Sequence, residues 1–139
     1  LLPAYVPLPG LGVLPVNAFV IHAREPVLVD TGIAALRDGF LKALRALIDP
    51  AALRWIWITH ADADHVGSLA AVLAEAPQAR VVTNYLGVGK MGLQQLPLDL
   101  ARVYALPHPP LANLQINRHA LPPLFARLAR LAAIMSSIL

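Results

Sequence analysis

An α/β fold, built on a mixed sheet with flanking helices, is predicted by three features of this chain. Short apolar, β-rich runs alternate with segments whose apolar residues recur at helical spacing. A loop dense in imidazole and carboxylate follows directly on one of the apolar runs, at the carboxyl end of a strand, where ligand sites of such sheets lie. The composition, 58% hydrophobic over 139 residues, is ample for the core of one domain.

The elements follow in order. Residues 16–22 and 26–29 are β-rich runs separated by Ala23-Arg24-Glu25, which fits a hairpin. From Ile33 to Ile48, Leu36, Phe40, Leu44, Leu47 and Ile48 recur at helical spacing opposite Arg37, Asp38, Lys42 and Arg45, and Asp49-Pro50 ends that helix. Residues 54–59 read as a buried strand. Residues 66–76 read as a helix with Leu69, Val72 and Leu73 on its inner side, stopped by Pro77, and residues 80–83 as a further strand. Beyond Asp99 the chain has no carboxylate and dense proline. A terminal apolar stripe of Leu124, Leu128, Leu131, Met135 and Ile138 begins near Pro122-Pro123, a pair favourable in a first helical turn, and predicts a helix that serves core packing or a partner interface.

Charge and composition remove several function classes. The net charge is +3, but the arginines are scattered singly and no aromatics are interleaved with them, so nucleic acid is not an expected partner. Zero Cys excludes disulfides, thiolate metal sites and thiol catalysis. The first 23 residues carry no Asp, Glu, Lys or Arg, yet Pro3, Pro7, Pro9 and Pro15 interrupt any helical anchor and no basic segment precedes them. No stretch reaches the roughly 18 uninterrupted apolar residues of a membrane span. The expectation is a soluble, cytoplasmic protein without a membrane partner.

The chemistry concentrates in Thr59-His60-Ala61-Asp62-Ala63-Asp64-His65-Val66-Gly67. Carboxylate oxygens mixed with imidazole nitrogens suit zinc, iron or manganese, and a short loop carrying both can grip one cation or two. In an extended segment His60, Asp62 and Asp64 fall on one side, with small Ala61 and Ala63 facing away, and His65 follows as the chain turns into a helix. Helix capping by Asp62 or Asp64 uses one oxygen and accounts for neither histidine. The metal-ligand candidates are therefore His60, Asp62, Asp64 and His65. A second glycine motif, Gly87-Val88-Gly89-Lys90-Met91-Gly92, fits G-x-G-x-x-G. Asn84-Tyr85-Leu86 separates it from the strand, however, and no acid follows about 20 residues later, so it is not read as a nucleotide site.

The run His60-x-Asp62-x-Asp64-His65-x-Gly67, preceded by Trp55-Ile56-Trp57-Ile58-Thr59, resembles the metal-binding signature of the metallo-β-lactamase fold, commonly written H-x-H/E/D-x-D-H. Upstream, Val27-Leu28-Val29-Asp30-Thr31-Gly32, after Asn17-Ala18-Phe19-Val20-Ile21, is similar to that fold's early strands ending in Asp-Thr-Gly. The resemblance covers residues 13–105. It implies the N-terminal half of an αββα sandwich, within a single incomplete domain of 139 residues whose segment 106–139 diverges from the family. It also implies that Asp30 supports the metal loop by hydrogen bonding, and that Asp64 both ligates and positions a nucleophilic water.

The activity implied first is that of a metal-dependent hydrolase, acting on a small-molecule substrate through water activated by zinc, with iron as the second choice of metal. Asp62 stands where such hydrolases usually carry His. That acid is similar to the flavodiiron and oxygen-binding diiron branch, whose ligands reduce dioxygen or nitric oxide with a flavin partner. A non-enzymatic alternative is a half-site fragment holding one metal, or an inactive interaction module associating through an exposed sheet edge. The dinuclear site of the family also needs a downstream bridging Asp and two histidines. No acid follows Asp99, and the downstream imidazoles, His108 and His119, are read as ordinary surface or packed residues.

Overall fold

The computed structural model describes residues 1–106. Six strands form one sheet in the order β1-β2-β3-β4-β5-β6, with β1 Leu2–Leu8, β2 Gly12–Ile21, β3 Val27–Val29, β4 Trp55–Trp57, β5 Arg80–Asn84 and β6 Val103–Leu106. The first three pair antiparallel and the last three add on in parallel. The helices are α1 Arg37–Leu47, α2 Ala63–Val66, α3 Leu69–Glu75 and α4 Tyr85–Leu93. The sheet is thus mixed, with helices in the crossovers between its parallel strands.

Sheet positions alternate between two faces. Leu28, Ile56 and Val81 share one core cluster with Leu41 and Leu44 of α1, Leu69, Val72 and Leu73 of α3, and Met91 of α4. Val27 and Val82, on the other face, are also buried. Burial on both faces is why these short parallel strands read as continuous apolar runs. Each fully buried large aliphatic such as Leu28, Leu44 or Ile56 contributes about 1.5–3 kcal/mol relative to exposure.

Several expectations change. The strand Leu2–Leu8 was not anticipated; in the sequence Pro3 and Pro7 mark only breaks in a helical anchor. It lies at the sheet edge with β2 as its one neighbour, and a proline is tolerated on an open side where no N–H is needed. Helix α1 starts at Arg37 after a 3-10 turn at Ala34–Leu36, which rotates its inner face onto Leu41 and Leu44; the expected inner residues Leu36 and Leu47 are exposed. The helix expected over residues 66–76 is found as α3, Leu69–Glu75, with Val66 belonging instead to the short α2 on the other side of a break at Gly67-Ser68.

The glycine-rich run forms helix α4. Asn84 caps it by accepting from Gly87 N at 2.7 Å, and Gly87 backs onto Thr83 where a Cβ would stand 2.4 Å from Thr83 Oγ1. Strand β6 was also not anticipated. The terminal helix expected from Leu124 to Ile138, along with His108 and His119, lies outside the described residues. Among the described residues no helix is long and apolar enough to cross a membrane.

Long-range polar ties hold the helices to this frame. Arg45 of α1 reaches Glu75 at the end of α3 through a two-pronged contact, one arm 2.9 Å long. That contact holds the Glu75 carboxyl below its ordinary value. Arg102 donates to the carbonyls of Ala76 and Ala79 and so fastens the entry of β6 to the turn before β5.

Candidate metal centre

The site forms where the carboxyl ends of β3 and β4 meet. Asp30 follows β3 with φ of +58°, a left-handed conformation that Asp tolerates better than bulkier residues. Its amide donates to Trp57 O at 2.9 Å. Its carboxylate, 4% exposed, accepts from Thr59 N at 2.9 Å and from Thr59 Oγ1 at 2.8 Å. Thr31 sends both its amide and its hydroxyl to His65 O, at 2.8 and 2.9 Å. Gly67 N donates to Gly32 O at 2.8 Å. A Cβ on Gly67 would stand 2.1 Å from Ala34 N, so this approach requires glycine. The Asp30-Thr31-Gly32 segment therefore clamps both ends of the histidine loop.

On this base His60, Asp64 and His65 offer ligand atoms that all lie within 4.8 Å of one another, the one such group among the described residues. The two imidazoles are 3.7 Å apart between centroids and tilted by 49°. The hydrogen-bond network assigns the proton of His60. Thr59 Oγ1 has one hydrogen, which goes to the Asp30 carboxylate, so its 3.2 Å contact with His60 Nδ1 is one in which the hydroxyl oxygen accepts. Nε2 of His60 is then the free electron-pair donor. Nδ1 of His65 lies 2.9 Å from Asp30 Oδ2, with the ring N–H direction outside hydrogen-bond geometry. That leaves His65 Nε2, 3.4 Å from Asp64 Oδ2, facing the shared space. Asp30 thus stands behind both histidines, directly under His65 and through Thr59 under His60. Such partners orient ligating imidazoles and raise their basicity.

Asp62 is placed differently. The extended run stops there: Asp62 occupies the N-cap position of α2, its carbonyl accepts from His65 N and Val66 N, and its side chain makes no capping bond. Asp64 consequently sits in the first turn of α2, and the three-way convergence of His60, Asp62 and Asp64 expected from extended spacing does not form. The Asp62 carboxylate takes the Lys90 ammonium on Oδ1 and lies 3.5 Å from His60 Nε2 through Oδ2. The Lys90 hydrogen bond holds the Asp62 carboxyl below its ordinary value. Gln94, the C-cap residue of α4 four positions after Lys90, donates to Ala61 O at 3.0 Å.

Lys90, Gln94 and Thr59 were missed by sequence reasoning. Thr59 carried a signal, a hydroxyl closing an apolar strand beside His60. Lys90 and Gln94 carried none, because their approach depends on the α4 path. In donor type the cluster fits a first-row divalent cation: two imidazole nitrogens, one carboxylate and no thiolate.

A family model, that of the metallo-beta-lactamase superfamily, matches residues 11–115. The flavo-diiron protein FprA2 of Clostridium acetobutylicum is 34% identical over 71 residues, 51% of this chain and 18% of that protein. The rubredoxin oxygen:oxidoreductase of Desulfovibrio gigas superposes with a TM-score of 0.62 at 26% identity, covering 68% of this chain and 23% of its own. A metallo-beta-lactamase of Cronobacter sakazakii with a HARLDQ motif gives a TM-score of 0.53 at 26% identity over 69% of this chain and 35% of that one. This chain spans about a fifth of the length of the curated flavo-diiron relative. The fold these comparisons share is a metal-binding one.

Proposed function

The chain belongs to the metallo-beta-lactamase superfamily, and on that premise we propose that it is the metal-binding portion of a flavodiiron-type domain, holding a divalent cation on His60, Asp64 and His65, with iron ahead of zinc. The observation that carries this reading is the convergence of those three donors within 4.8 Å. Ranking iron first reverses the order that the hydrolase resemblance implied. It is supported by the relative named a flavo-diiron protein and by the acid at Asp62.

When bound, the cation supplies Lewis acidity, and iron adds an electron-transfer couple. The residues of this chain do the rest. His60 and His65 donate through Nε2: the Thr59 hydroxyl oxygen accepts from Nδ1 of His60, and the Asp30 carboxylate stands 2.9 Å from Nδ1 of His65. Asp64 supplies the anionic donor and, with its second oxygen, orients a polar reactant. The substrate proposed is a small diatomic oxidant, dioxygen or nitric oxide, and its reductant a flavin-bearing partner or domain.

Metal analysis of the full chain purified with iron and zinc both supplied tests the assignment. About one equivalent of iron, lost in the His60→Ala/Asp64→Ala double variant, is the expected result. Equal metal in both proteins, or none in either, overturns it.

A hydrolytic use of the same donors is the second reading, favoured by the likeness to the Cronobacter metallo-beta-lactamase. In that case zinc would be retained in preference to iron, and the zinc-loaded chain would turn over phosphoester, lactam or thioester model substrates that the double variant leaves intact.

A further inference from the structure

We propose that Lys90 acts as an internal competitor for Asp62: its ammonium occupies the carboxylate that would otherwise join His60, Asp64 and His65 as a fourth donor, and so sets the affinity of the site for its cation. This inference rests on the metal-binding reading above and extends it to a residue on another element.

The geometry is specific. Asp62 is within reach of the cluster, its Oδ2 3.5 Å from the His60 Nε2 that the Thr59 contact leaves free. Its other oxygen is taken by Lys90. The helix that carries Lys90 is anchored against the same loop, since Gln94, four residues on and therefore on the same face, donates to Ala61 O at 3.0 Å. Asn84 fixes the start of that helix and Gly87 seats it on Thr83. Lys90 is thus delivered to Asp62 by a fixed path.

One carboxylate then serves two cations. The ammonium offsets the charge of the Asp62 carboxylate. A dication entering the cluster meets a like charge at its edge and must displace Lys90 to gain Asp62. Both partners are about half exposed, so the pair is weak and displaceable. Lys90 therefore tunes affinity and does not close the site.

The test uses the full chain, with Zn(II) affinity measured by chelator competition and Co(II) absorption as a report on ligand number. Lys90→Met should bind Zn(II) about fivefold more tightly than wild type and should change the Co(II) ligand-field band. Lys90→Arg, which keeps the charge, should match wild type in both. Asp62→Asn should cost little in the wild-type background and should cancel the gain when added to Lys90→Met. The proposal is overturned if Lys90→Met binds no more tightly, or if Asp62→Asn alone costs as much as His60→Ala, which would make Asp62 a full ligand already. Binding that survives His60→Ala instead overturns the metal-site reading, so the two failures are distinguishable. Unchanged circular dichroism of the Lys90 variants, expected for so exposed a side chain, excludes misfolding as the source of any difference.

Discussion

At the scale of single residues the site depends on Asp30 more than on any group that faces the shared space. It is buried, strained into the left-handed region, and engaged by Thr59 on both oxygens while lying 2.9 Å from His65. Asp30→Asn keeps the size and the tolerance for that backbone but removes the charge that fixes both imidazoles. It is expected to weaken Zn(II) binding about 10- to 100-fold in chelator competition, the range seen when partners of ligating groups are altered. Asp38→Asn, exposed in the first turn of α1, serves as the control that leaves affinity unchanged. Equal affinity for Asp30→Asn and wild type would remove Asp30 from the site. The clustering of His60, Asp64 and His65 was legible in the sequence because all three belong to one six-residue loop. The engagement of Asp62 by Lys90 was not. Alternation in an extended chain places Asp62 with its neighbours, but the chain enters α2 at Ala63, and the partner of Asp62 arrives from a helix 28 residues further on.

Elements were legible where one period governs a segment and illegible where a tertiary approach interrupts it. Val66, Leu69, Val72 and Leu73 keep helical spacing straight across the break between α2 and α3, so periodicity alone reads one helix. The break is set by Gly67, whose backbone packs on that of Gly32, Ile33 and Ala34. Likewise the glycines of α4 are loop signals by composition, yet two of them, Gly89 and Gly92, face open space and only Gly87 makes a close approach. These contrasts give opposite predictions for one kind of substitution. Gly67→Ala puts a Cβ 2.1 Å from a backbone nitrogen that cannot swing aside, and should destabilise by about 3 kcal/mol or more in chemical denaturation. Gly89→Ala adds a methyl where nothing lies within 4 Å and should stabilise by about 0.5–1 kcal/mol through helix propensity. A Gly67→Ala protein as stable as wild type would mean that the clamp between the Asp-Thr-Gly turn and the histidine loop is not tight.

Across the whole molecule, the donors stand where the sheet's hydrogen-bonded ladder ends. Trp57 O accepts from Asp30 N, Val82 O accepts from Ile58 N, and His65 O accepts from Thr31, so β3, β4, β5 and α2 all meet at the loop that offers the ligands. A cation held there by His60, Asp64 and His65 would join the segment after β4 to α2, and Thr59 and His65 both already lie against Asp30 after β3. Ligand binding to the folded state alone stabilises by mass action, about 2.7 kcal/mol at a free concentration 100 times Kd. For a chain of this size that corresponds to a rise in Tm of roughly 5–10 °C. Zn(II) added at that excess to chelator-treated protein should therefore raise the Tm by this amount in a single cooperative transition, and EDTA should reverse it. The His60→Ala/Asp64→Ala double variant should show no shift, because the cation then has no pair of donors on separate elements to join. An equal shift in that variant would place the stabilising cation elsewhere, and the meeting point of strands and loop would be a feature of packing alone.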